Sequence, residues 1–368
     1  MRLLRNSQRM FEDIITRVLG TWSRRQTRGF NRRKKREDVN LNRLRDNMKA
    51  FDRFKIRPRI LSDVSNVDTS TVLFGAKVSL PIGFSPAAMH GLAHPDGEKA
   101  TSRAASLLNI PMGLSTYSTV SVEDVILERG NGTNPYAFQL SIVTDREISL
   151  QWIKRAESAG YQALFITVDA PVLGNRLGEK RNGFKLPPHL SLPNLPGKEN
   201  RSHHFSGRDS SNSWESVIPW IKENTNLEIW LKGIYCAEDV LKAIQYGLDG
   251  VVVSNHGGRQ LDGVPATIDA LYECAPVAKG RIKIAIDGGI RRGADVFRAL
   301  AVGADFCFLG RIPIWGLAYD GQKGVERAVN ILEEELRNTM ALAGCKSLKD
   351  ISRAHLSVIG ANGLLSKL

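Results

Sequence analysis

The residues best suited to acid–base chemistry in this 368-residue chain lie in the run SNHGGR, Ser254–Arg259. His256 can accept a proton, because an imidazole titrates near neutral pH. Arg259 follows three residues later and can bind a carboxylate through two parallel hydrogen bonds. Asp169, at the end of another predicted strand, could stabilise the imidazolium that forms. A buried structural histidine is the alternative, but the flanking Asn and Gly residues favour a loop.

Two runs that combine glycine with arginine are suited to binding a phosphate group. They are DGGIR at Asp287–Arg291 and GR at Gly310–Arg311. Glycine lets backbone amides approach an anion closely, and arginine donates two hydrogen bonds to phosphate oxygens. Ordinary tight turns are the alternative. Because glycine and arginine occur together in both runs, we expect a phosphate site there.

Lys232 ends the otherwise apolar run IWLK. Burying an ammonium group is unfavourable unless an anion compensates its charge. Lys232 is therefore expected to face a cofactor that becomes negatively charged during the reaction. The alternative is a structural ion pair with a carboxylate of the same fold.

These candidate residues follow short apolar runs that are typical of parallel strands buried on both faces. Eight strands are predicted at Pro81–Ser85, Pro111–Ser115, Tyr136–Leu140, Ala163–Val168, Glu228–Lys232, Gly250–Ser254, Lys283–Asp287 and Asp305–Gly310. Helices are predicted between them, with capping boxes at Thr144–Glu147 and Ser121–Asp124 and a left-handed helix end at Gly160. Eight strand–helix units predict an α/β fold, a (β/α)8 TIM barrel, whose active site lies at the carboxyl ends of the strands. A doubly wound sheet is the alternative, but no GxGxxG follows an early strand.

Composition divides the chain into three parts. Residues 1–50 contain 15 Lys and Arg against 5 Asp and Glu, and are predicted to form a basic, partly helical or mobile arm. Residues 51–360 would form the barrel, with a polar lid insertion at about 178–213 after the fourth strand. Residues 361–368 are predicted to form an exposed tail.

Several binding classes are not expected. The run RRKKR in the arm could bind nucleic acid, but a solvated arm is the interpretation that we prefer. No apolar run reaches the roughly 18 residues of a membrane span. The four cysteines lie far apart without a neighbouring His at metal spacing, so we expect core thiols and neither a metal site nor a disulfide.

The chain ends in Ser366-Lys367-Leu368, the tripeptide address that the peroxisomal import receptor reads. We therefore predict a peroxisomal protein that binds this receptor, with a cytoplasmic location as the alternative.

Six motifs in the same order resemble the FMN-dependent 2-hydroxy-acid oxidases and dehydrogenases, a family that includes glycolate oxidase. SNHGGRQLDG is similar to the active-site signature of that family. In chain order, the others are FDRFKIRPRIL, PIGFSPAAMHGLAHPDGE, FITVDAPVLG, the LKG of the fifth predicted strand, and IDGGIRRG. The resemblance extends over about residues 50–351 and implies FMN as the cofactor.

The resemblance also implies a role for each matching residue. His256 would be the catalytic base, Asp169 its partner, and Lys232 the group that stabilises the anionic reduced flavin. Arg259 and Arg176 would bind the carboxylate of the substrate. The FMN contacts would be Pro86, Ala87, Ala88, Ser115, Gln139, Thr167, Lys232, Ser254, Asp287, Gly288, Gly289, Arg291, Gly310 and Arg311.

The substrate pocket departs from the family pattern at two positions. The third strand reads FQLS, so Ser141 replaces a family tyrosine and leaves room for a bulkier substrate. A second substrate-binding tyrosine of the family aligns without gaps to Arg33–Lys34 in the basic run. Tyr117 occupies a position that helps to shape the pocket.

The activity implied is oxidation of an (S)-2-hydroxy acid to a 2-oxo acid, with O2 as acceptor and hydrogen peroxide as product. Alternatives are a lactate-type dehydrogenase that reduces a cytochrome or quinone, and a catalytically impaired FMN-binding homologue. A flavin-free phosphate-binding barrel, such as an isomerase, is a third. The arm is expected to be too short for a haem module, and a homo-oligomer, a tetramer by resemblance, is expected.

Overall fold

A computed structural model describes residues 39–197, 207–360 and 363–368. Most of the predicted basic arm, including Arg33–Lys34, lies outside the described residues, as do the middle of the lid insertion and the first residues of the tail.

Eight parallel strands close into a barrel in the described part of the chain. The strands before the barrel are β1 (Phe54–Ile56), β2 (Thr71–Leu73) and β3 (Ala76–Val78). The barrel strands are β4 (Ile82–Ala87), β5 (Met112–Ser115), β6 (Tyr136–Leu140), β7 (Ala163–Thr167), β8 (Glu228–Ile234), β9 (Gly250–Val253), β10 (Lys283–Asp287) and β11 (Phe306–Leu309). Each pairs with its sequence neighbour, and β11 pairs with β4 to close the barrel. The predicted TIM barrel is confirmed, with strand ends shifted by no more than two residues.

Helices surround the barrel and connect its strands. The helices are α1 (Val39–Phe51), α2 (Gly97–Leu107), α3 (Val122–Leu127), α4 (Arg146–Ala159), α5 (Leu177–Asn182), α6 (Trp214–Asn224), α7 (Ala237–Gln245), α8 (Thr267–Ala278), α9 (Gly293–Val302) and α10 (Arg311–Ala343). The last is interrupted at Asp320 and Gly321, whose backbone angles are not helical. After it come β12 (Leu356–Ile359) and β13 (Leu365–Lys367).

One of the two predicted capping boxes is wrong. The side chain of Asp145, not Thr144, caps α4 by accepting a hydrogen bond from the backbone N–H of Glu147 at 3.0 Å. The backbone N–H of Thr144 instead donates to the carbonyl of Gly207, at the end of the lid insertion. Ser121 does cap α3, through the N–H of Asp124 at 3.0 Å. Gly160 ends α4 in the left-handed region, with φ of 86°.

Both ends of the described chain pack against the barrel domain. Helix α1 continues through residue 51, so the predicted boundary between residues 50 and 51 falls within a helix. At the other end, β13 pairs antiparallel with β12, which pairs with β1. The side chains of β13 are exposed, but its backbone is held in a sheet, so these residues are an edge strand and not a free extension.

Successive side chains of each strand point alternately into and out of the barrel, and the inward-pointing ones form a large apolar layer. Phe165 of β7, Trp230 of β8 and Phe308 of β11 are buried in this layer, and their rings pack edge to face. Phe74, in the turn between β2 and β3, closes the floor against Trp230. The interior is therefore solid below the strand ends, and only the top is available for a ligand.

No helix of the described residues is long and apolar enough to cross a membrane.

Candidate active site

The layer above these rings is polar, because seven of the eight barrel strands place a polar residue two positions after a buried residue that faces the barrel interior. Thr167 follows Phe165 in this way, and Lys232 follows Trp230. In a strand, residues two apart share a face, so the polar side chains point into the mouth of the barrel. The polar layer comprises Ser85, Ser115, Gln139, Thr167, Lys232, Ser254 and Asp287.

Lys232 is buried in this layer and is neutralised by Asp287. Its Nζ lies 2.9 Å from Asp287 Oδ2 and donates to Ser254 Oγ at 2.8 Å. Burial is the largest effect on Asp287 and opposes its ionisation, but Lys232 together with hydrogen bonds from Ser254 and Ser85 outweighs burial and lowers the pKa of that carboxyl. The structural ion pair that was the alternative for Lys232 is thus present. Ser85 donates to the same Oδ2 atom, so three strands are joined beneath the mouth.

His256 is hydrogen bonded to Asp169 across the barrel mouth. The Nδ1 atom of His256 lies 3.1 Å from Asp169 Oδ1, and their side chains are 23% and 13% exposed. Burial lowers the pKa of His256 below its usual 6.5, Asp169 opposes this shift, and Lys232 and Arg259 add to it. His256 therefore presents a neutral imidazole at neutral pH, with one ring nitrogen held by a carboxylate.

The position of Asp169 depends on a glycine in the neighbouring strand. Gly233, in β8, has φ of +112°, and a Cβ atom there would lie 2.6 Å from the Cβ of Asp169. Any larger residue would push Asp169 away from His256. The glycine of the LKG run is thus required by close approach as well as by its backbone conformation.

Arg259 and Arg176 lie on the same side of the mouth as His256. Burial, together with Arg176 and Arg311, lowers the pKa of Arg259 to about 10. Arg259 donates through Nε to the carbonyl of His256 at 3.2 Å, and no carboxylate of the described residues forms a salt bridge with it. Arg176 pairs with Glu179 at 3.3 Å, while its buried Nε has no hydrogen-bond partner among the described residues. These guanidinium groups can therefore bind an anion.

The two glycine–arginine runs form one wall of the site. Gly288 and Gly289 have φ of +90° and +84°, so their backbone adopts a conformation that L residues rarely adopt. Burial, with a smaller contribution from Arg311, lowers the pKa of Arg291 to about 10. The buried Nη2 of Arg291 has no hydrogen-bond partner among the described residues. The side chain of Arg311 donates to the carbonyl of Gly257 at 2.8 Å, which connects this wall to the loop after β9.

Helix α1 supports these loops from below. The amides of Asn47 and Asn255 exchange two hydrogen bonds, of 3.0 and 2.8 Å, although 208 positions separate them in the chain. Asn47 also accepts from the backbone N–H of Thr267 at 3.3 Å. A Cβ atom on Gly289 would lie 2.3 Å from the carbonyl of Asn47. Helix α1 thus packs directly against the loop that carries His256 and the loop that carries Gly289.

Two adjoining cavities, of about 330 and 90 Å³, occupy the barrel mouth. All but two of the predicted site residues line them. The lining residues that were predicted are Pro86, Ala87, Ala88, Ser115, Tyr117, Gln139, Thr167, Arg176, Lys232, His256, Arg259, Asp287, Gly288, Gly289, Arg291, Gly310 and Arg311. The two exceptions, Asp169 and Ser254, lie behind the surface and hydrogen bond to His256 and Lys232.

Sequence reasoning missed several residues of this site. Glu179 and Phe184, in the described part of the lid insertion, line the larger cavity, and Arg208 lines the smaller one. The length and polarity of the insertion were the available signal. Met89, with φ of 58°, also lines both cavities, and its position beside the FSPAAMHG motif could have indicated it. Asn47 had no local signal, because it lies in the basic segment far from any motif.

In this barrel, the wall formed by the two glycine–arginine runs, the phosphate wall, lies beside the loop that carries His256 and Arg259. Barrels that bind a phosphorylated cofactor at their strand ends in this way include a class of oxidoreductases. The chain belongs to the FMN-dependent dehydrogenase family, whose model matches residues 35–358. It is 50% identical over 332 residues to Oxidase FUB9 of Fusarium oxysporum f. sp. lycopersici, covering 88% of this chain and 86% of that protein. It is 46% identical over 325 residues to glycolate oxidase of Spinacia oleracea, covering 85% and 87%.

Solved structures agree with this assignment. A mandelate oxidase with benzoyl-formic acid superposes with a TM-score of 0.79 at 38% identity, covering 86% of this chain and 89% of that one. A mandelate oxidase variant with a C4a-OH-FMN adduct superposes with a TM-score of 0.78 at 38% identity, covering 86% and 91%. The protein is thus an FMN-dependent enzyme of the 2-hydroxy-acid oxidase class.

The residues of the mouth fit FMN. The free Nη2 of Arg291 and the glycine backbone beside it suit the phosphate. The buried Oδ1 of Asp287 also has no partner among the described residues, and it can accept a hydrogen bond from a ribityl hydroxyl. Gly310 has open space around its α-carbon, which leaves the approach to the wall clear.

Proposed function

We propose that this enzyme oxidises an (S)-2-hydroxy acid to the corresponding 2-oxo acid and delivers the electrons to O2. One observation carries the proposal: the His256–Asp169 pair lies beside the guanidinium groups of Arg259 and Arg176, whose charges are not fully neutralised by carboxylates of the described residues. The glycine–arginine wall of the same cavity suits a flavin phosphate. A base and a carboxylate-binding group on one side of a redox cofactor are what 2-hydroxy-acid oxidation requires.

Arg259 and Arg176 would bind the substrate carboxylate. Arg259 is depressed in pKa by burial and by neighbouring cations, so a carboxylate relieves that repulsion on binding. Tyr117, which lines the same small cavity, would border the bound acid. Binding at these groups orients C2 of the substrate toward His256.

His256 would take the proton that the substrate releases. Its pKa is below the usual value, mainly because of burial, so the accepting form predominates at neutral pH. Asp169 fixes the ring through Nδ1 and stabilises the imidazolium after proton transfer. The oxidation removes one hydrogen from C2 and one from the C2 hydroxyl, as two protons and two electrons in total, and His256 accepts one of these protons.

Residues of the mouth and of the phosphate wall would hold FMN. When bound, FMN would supply a two-electron acceptor that O2 can reoxidise, and the two electrons with two protons convert O2 to hydrogen peroxide. Lys232, already paired with Asp287, would place a positive charge near the flavin and stabilise its anionic reduced form. The FMN contacts proposed are Pro86, Ala87, Ala88, Ser115, Gln139, Thr167, Lys232, Ser254, Asp287, Gly288, Gly289, Arg291, Gly310 and Arg311.

The replacement His256→Gln tests this assignment. We expect the variant to keep FMN bound, because no phosphate contact is removed, and to reduce it about 1,000-fold more slowly with a 2-hydroxy acid under anaerobic conditions. Flavin absorbance measures both quantities. Reduction at nearly the wild-type rate would refute the role of His256.

The final acceptor can be tested separately. Oxygen uptake that matches turnover, with stoichiometric hydrogen peroxide, is the expected result. Turnover only with a dye or cytochrome as acceptor would instead identify a dehydrogenase, which is the alternative within the same family.

We also propose that the protein is peroxisomal and is recognised through Ser366-Lys367-Leu368. The exposed side chains of Ser366 and Lys367 support this proposal, whereas the pairing of β13 with β12 requires the receptor to displace or tolerate that strand. A fluorescent protein fused to the amino terminus should enter peroxisomes with the native tail and remain outside them after Leu368 is deleted. Assembly as a homo-oligomer is a further proposal, which light scattering would test.

A further inference from the structure

A third cavity, of about 250 Å³, lies beside the catalytic mouth, between the ends of β6, β7 and β8 and helix α6. It shares lining residues with the small cavity that also contacts His256 and Arg259. The shared residues are Ser141, Thr167, Ala170 and Arg208. The two cavities therefore meet at these residues, and a ligand held by Arg259 could extend past them.

One part of the wall of this side cavity is apolar. Its large buried apolar residues are Ile142, Ile166, Val217, Ile218, Leu231 and Ile234. The polar groups at its edge are already engaged: Asp209 lies 3.6 Å from Arg146, and Asn212 donates to the carbonyl of Ile142 at 2.9 Å. Asp239 accepts from the thiol of Cys236. The interior thus offers hydrocarbon contact and no unpaired carboxylate among the described residues.

Ser141 lies where the two cavities meet. Its side chain is half-buried, lines both, and is the first residue after β6. A side chain with an aromatic ring at this position would extend into the shared space. The small side chain therefore leaves the route from the mouth to the side cavity open.

Resting on the proposed function, we propose that the enzyme acts on 2-hydroxy acids with a long unbranched alkyl side chain, which the side cavity holds. An apolar cavity of about 150 Å³ accommodates a benzene ring. A volume of about 250 Å³ thus has room for the alkyl chain of 2-hydroxyoctanoate. Each buried methylene improves binding by about 0.8 kcal/mol, or roughly fourfold. Ser141 is then a specificity-determining residue. Arg208 also lines both cavities, and its methylene groups would contact the alkyl chain of the substrate.

The test compares flavin reduction by lactate, 2-hydroxyhexanoate and 2-hydroxyoctanoate in the holoenzyme. For the wild type, we expect the second-order rate constant to rise on the order of 1,000-fold from lactate to 2-hydroxyoctanoate, roughly fourfold for each of the five additional methylenes. Ser141→Tyr should remove this gain, so that the ratio of the rate constants for 2-hydroxyoctanoate and lactate falls to about one. Ser141→Ala is the matched control and should retain the preference for the long chain.

A second variant keeps the test informative if Ser141→Tyr does not fold. Val217→Trp fills the side cavity from α6, away from the reacting groups, and should weaken 2-hydroxyoctanoate selectively. A binding measurement is independent of turnover: the oxidised enzyme should bind 2-oxooctanoate more tightly than pyruvate, and Val217→Trp should abolish the difference.

The outcomes separate the two levels of the proposal. If no 2-hydroxy acid reduces the bound flavin, the proposed function fails. If lactate reduces it but chain length has no effect, or if Val217→Trp weakens both acids equally, only the side-cavity proposal is overturned. Preference for 2-hydroxyoctanedioate over 2-hydroxyoctanoate would also overturn it, because a terminal carboxylate would then be bound by Arg208.

Discussion

At the scale of single residues, two opposing effects determine the pKa of His256. Burial removes water from the imidazolium and lowers the pKa, while the carboxylate of Asp169 raises it. Lys232 and Arg259 add to the lowering. The result is a base that is neutral, oriented and close to a counter-charge, which is suited to accepting a proton at neutral pH.

This balance predicts the pH dependence of the reaction. Because His256 must be neutral to accept a proton, kcat/KM should fall as pH decreases through a pKa below 6.5 and should be level at neutral pH. Asp169→Asn removes the group that raises this pKa, so the acidic limb should move to lower pH while the maximal rate decreases. Steady-state kinetics with a 2-hydroxy acid measure both effects.

The matched control is Asp305→Asn, at the opposite end of the barrel, where Asp305 contacts Lys283. Its pH profile should coincide with that of the wild type. An acidic limb of Asp169→Asn that moves to higher pH would contradict the assignment of this limb to His256.

At the scale of elements, helix α1 connects sequence-distant parts of the site. Asn47 is buried and hydrogen bonded to Asn255 and to the backbone before α8. The carbonyl of Asn47 also lies against Gly289. Two catalytic loops thus rest on a helix that lies outside the barrel.

Replacing Asn47 by Leu tests this support. The change preserves approximate size but leaves the buried amide of Asn255 without one partner, which costs about 2 kcal/mol. We expect the free energy of unfolding in urea to fall by about that amount and FMN binding to weaken. Lys49→Ala, at an exposed position of the same helix, is the control and should change neither quantity. Unchanged FMN affinity in a destabilised Asn47→Leu variant would limit α1 to a structural role.

At the scale of the whole molecule, buried positive charge is concentrated at one end of the barrel. The pKa values of Arg259, Arg291 and Arg311 are all lowered, mainly by burial. The net charge of +13 has a different origin, because residues 1–50 alone contribute a surplus of ten positive charges, 15 against 5. The basic arm and the basic site are thus separate features, and only the second favours a bound anion.

The buried cluster predicts that the flavin phosphate stabilises the whole domain. A ligand at about 100 times its Kd adds about 2.7 kcal/mol, so saturation of apoprotein with FMN should raise Tm by about 5 °C. Riboflavin lacks the phosphate and should stabilise less. Arg291→Met should weaken FMN about 10- to 100-fold, because a charged hydrogen bond is lost, and should leave riboflavin almost unchanged.

Differential scanning fluorimetry and flavin fluorescence titration measure these effects. Arg337→Met, whose side chain pairs with Glu333 one turn earlier in α10, controls for removal of an arginine as such. Equal weakening of FMN and riboflavin by Arg291→Met would show that Arg291 does not hold the phosphate.

The sequence by itself was sufficient for the barrel and for most of the residues that line its mouth. A buried parallel strand is a continuous apolar run, so each strand could be located from its own residues and ended within two positions of its prediction. The polar residues at or just after the ends of these runs then belong to the mouth, because all eight strands point the same way. Lys232, His256 and Arg291 could be found in this manner without knowledge of their partners.

Only the tertiary structure decided which groups meet. The pairing of Lys232 with Asp287, of Asn47 with Asn255 and of β13 with β12 joins segments far apart in the chain. The side cavity behind Ser141 likewise arises where three strands and α6 come together. Periodicity depends on neighbours a few residues away, whereas such contacts depend on how the barrel closes, which no local pattern records.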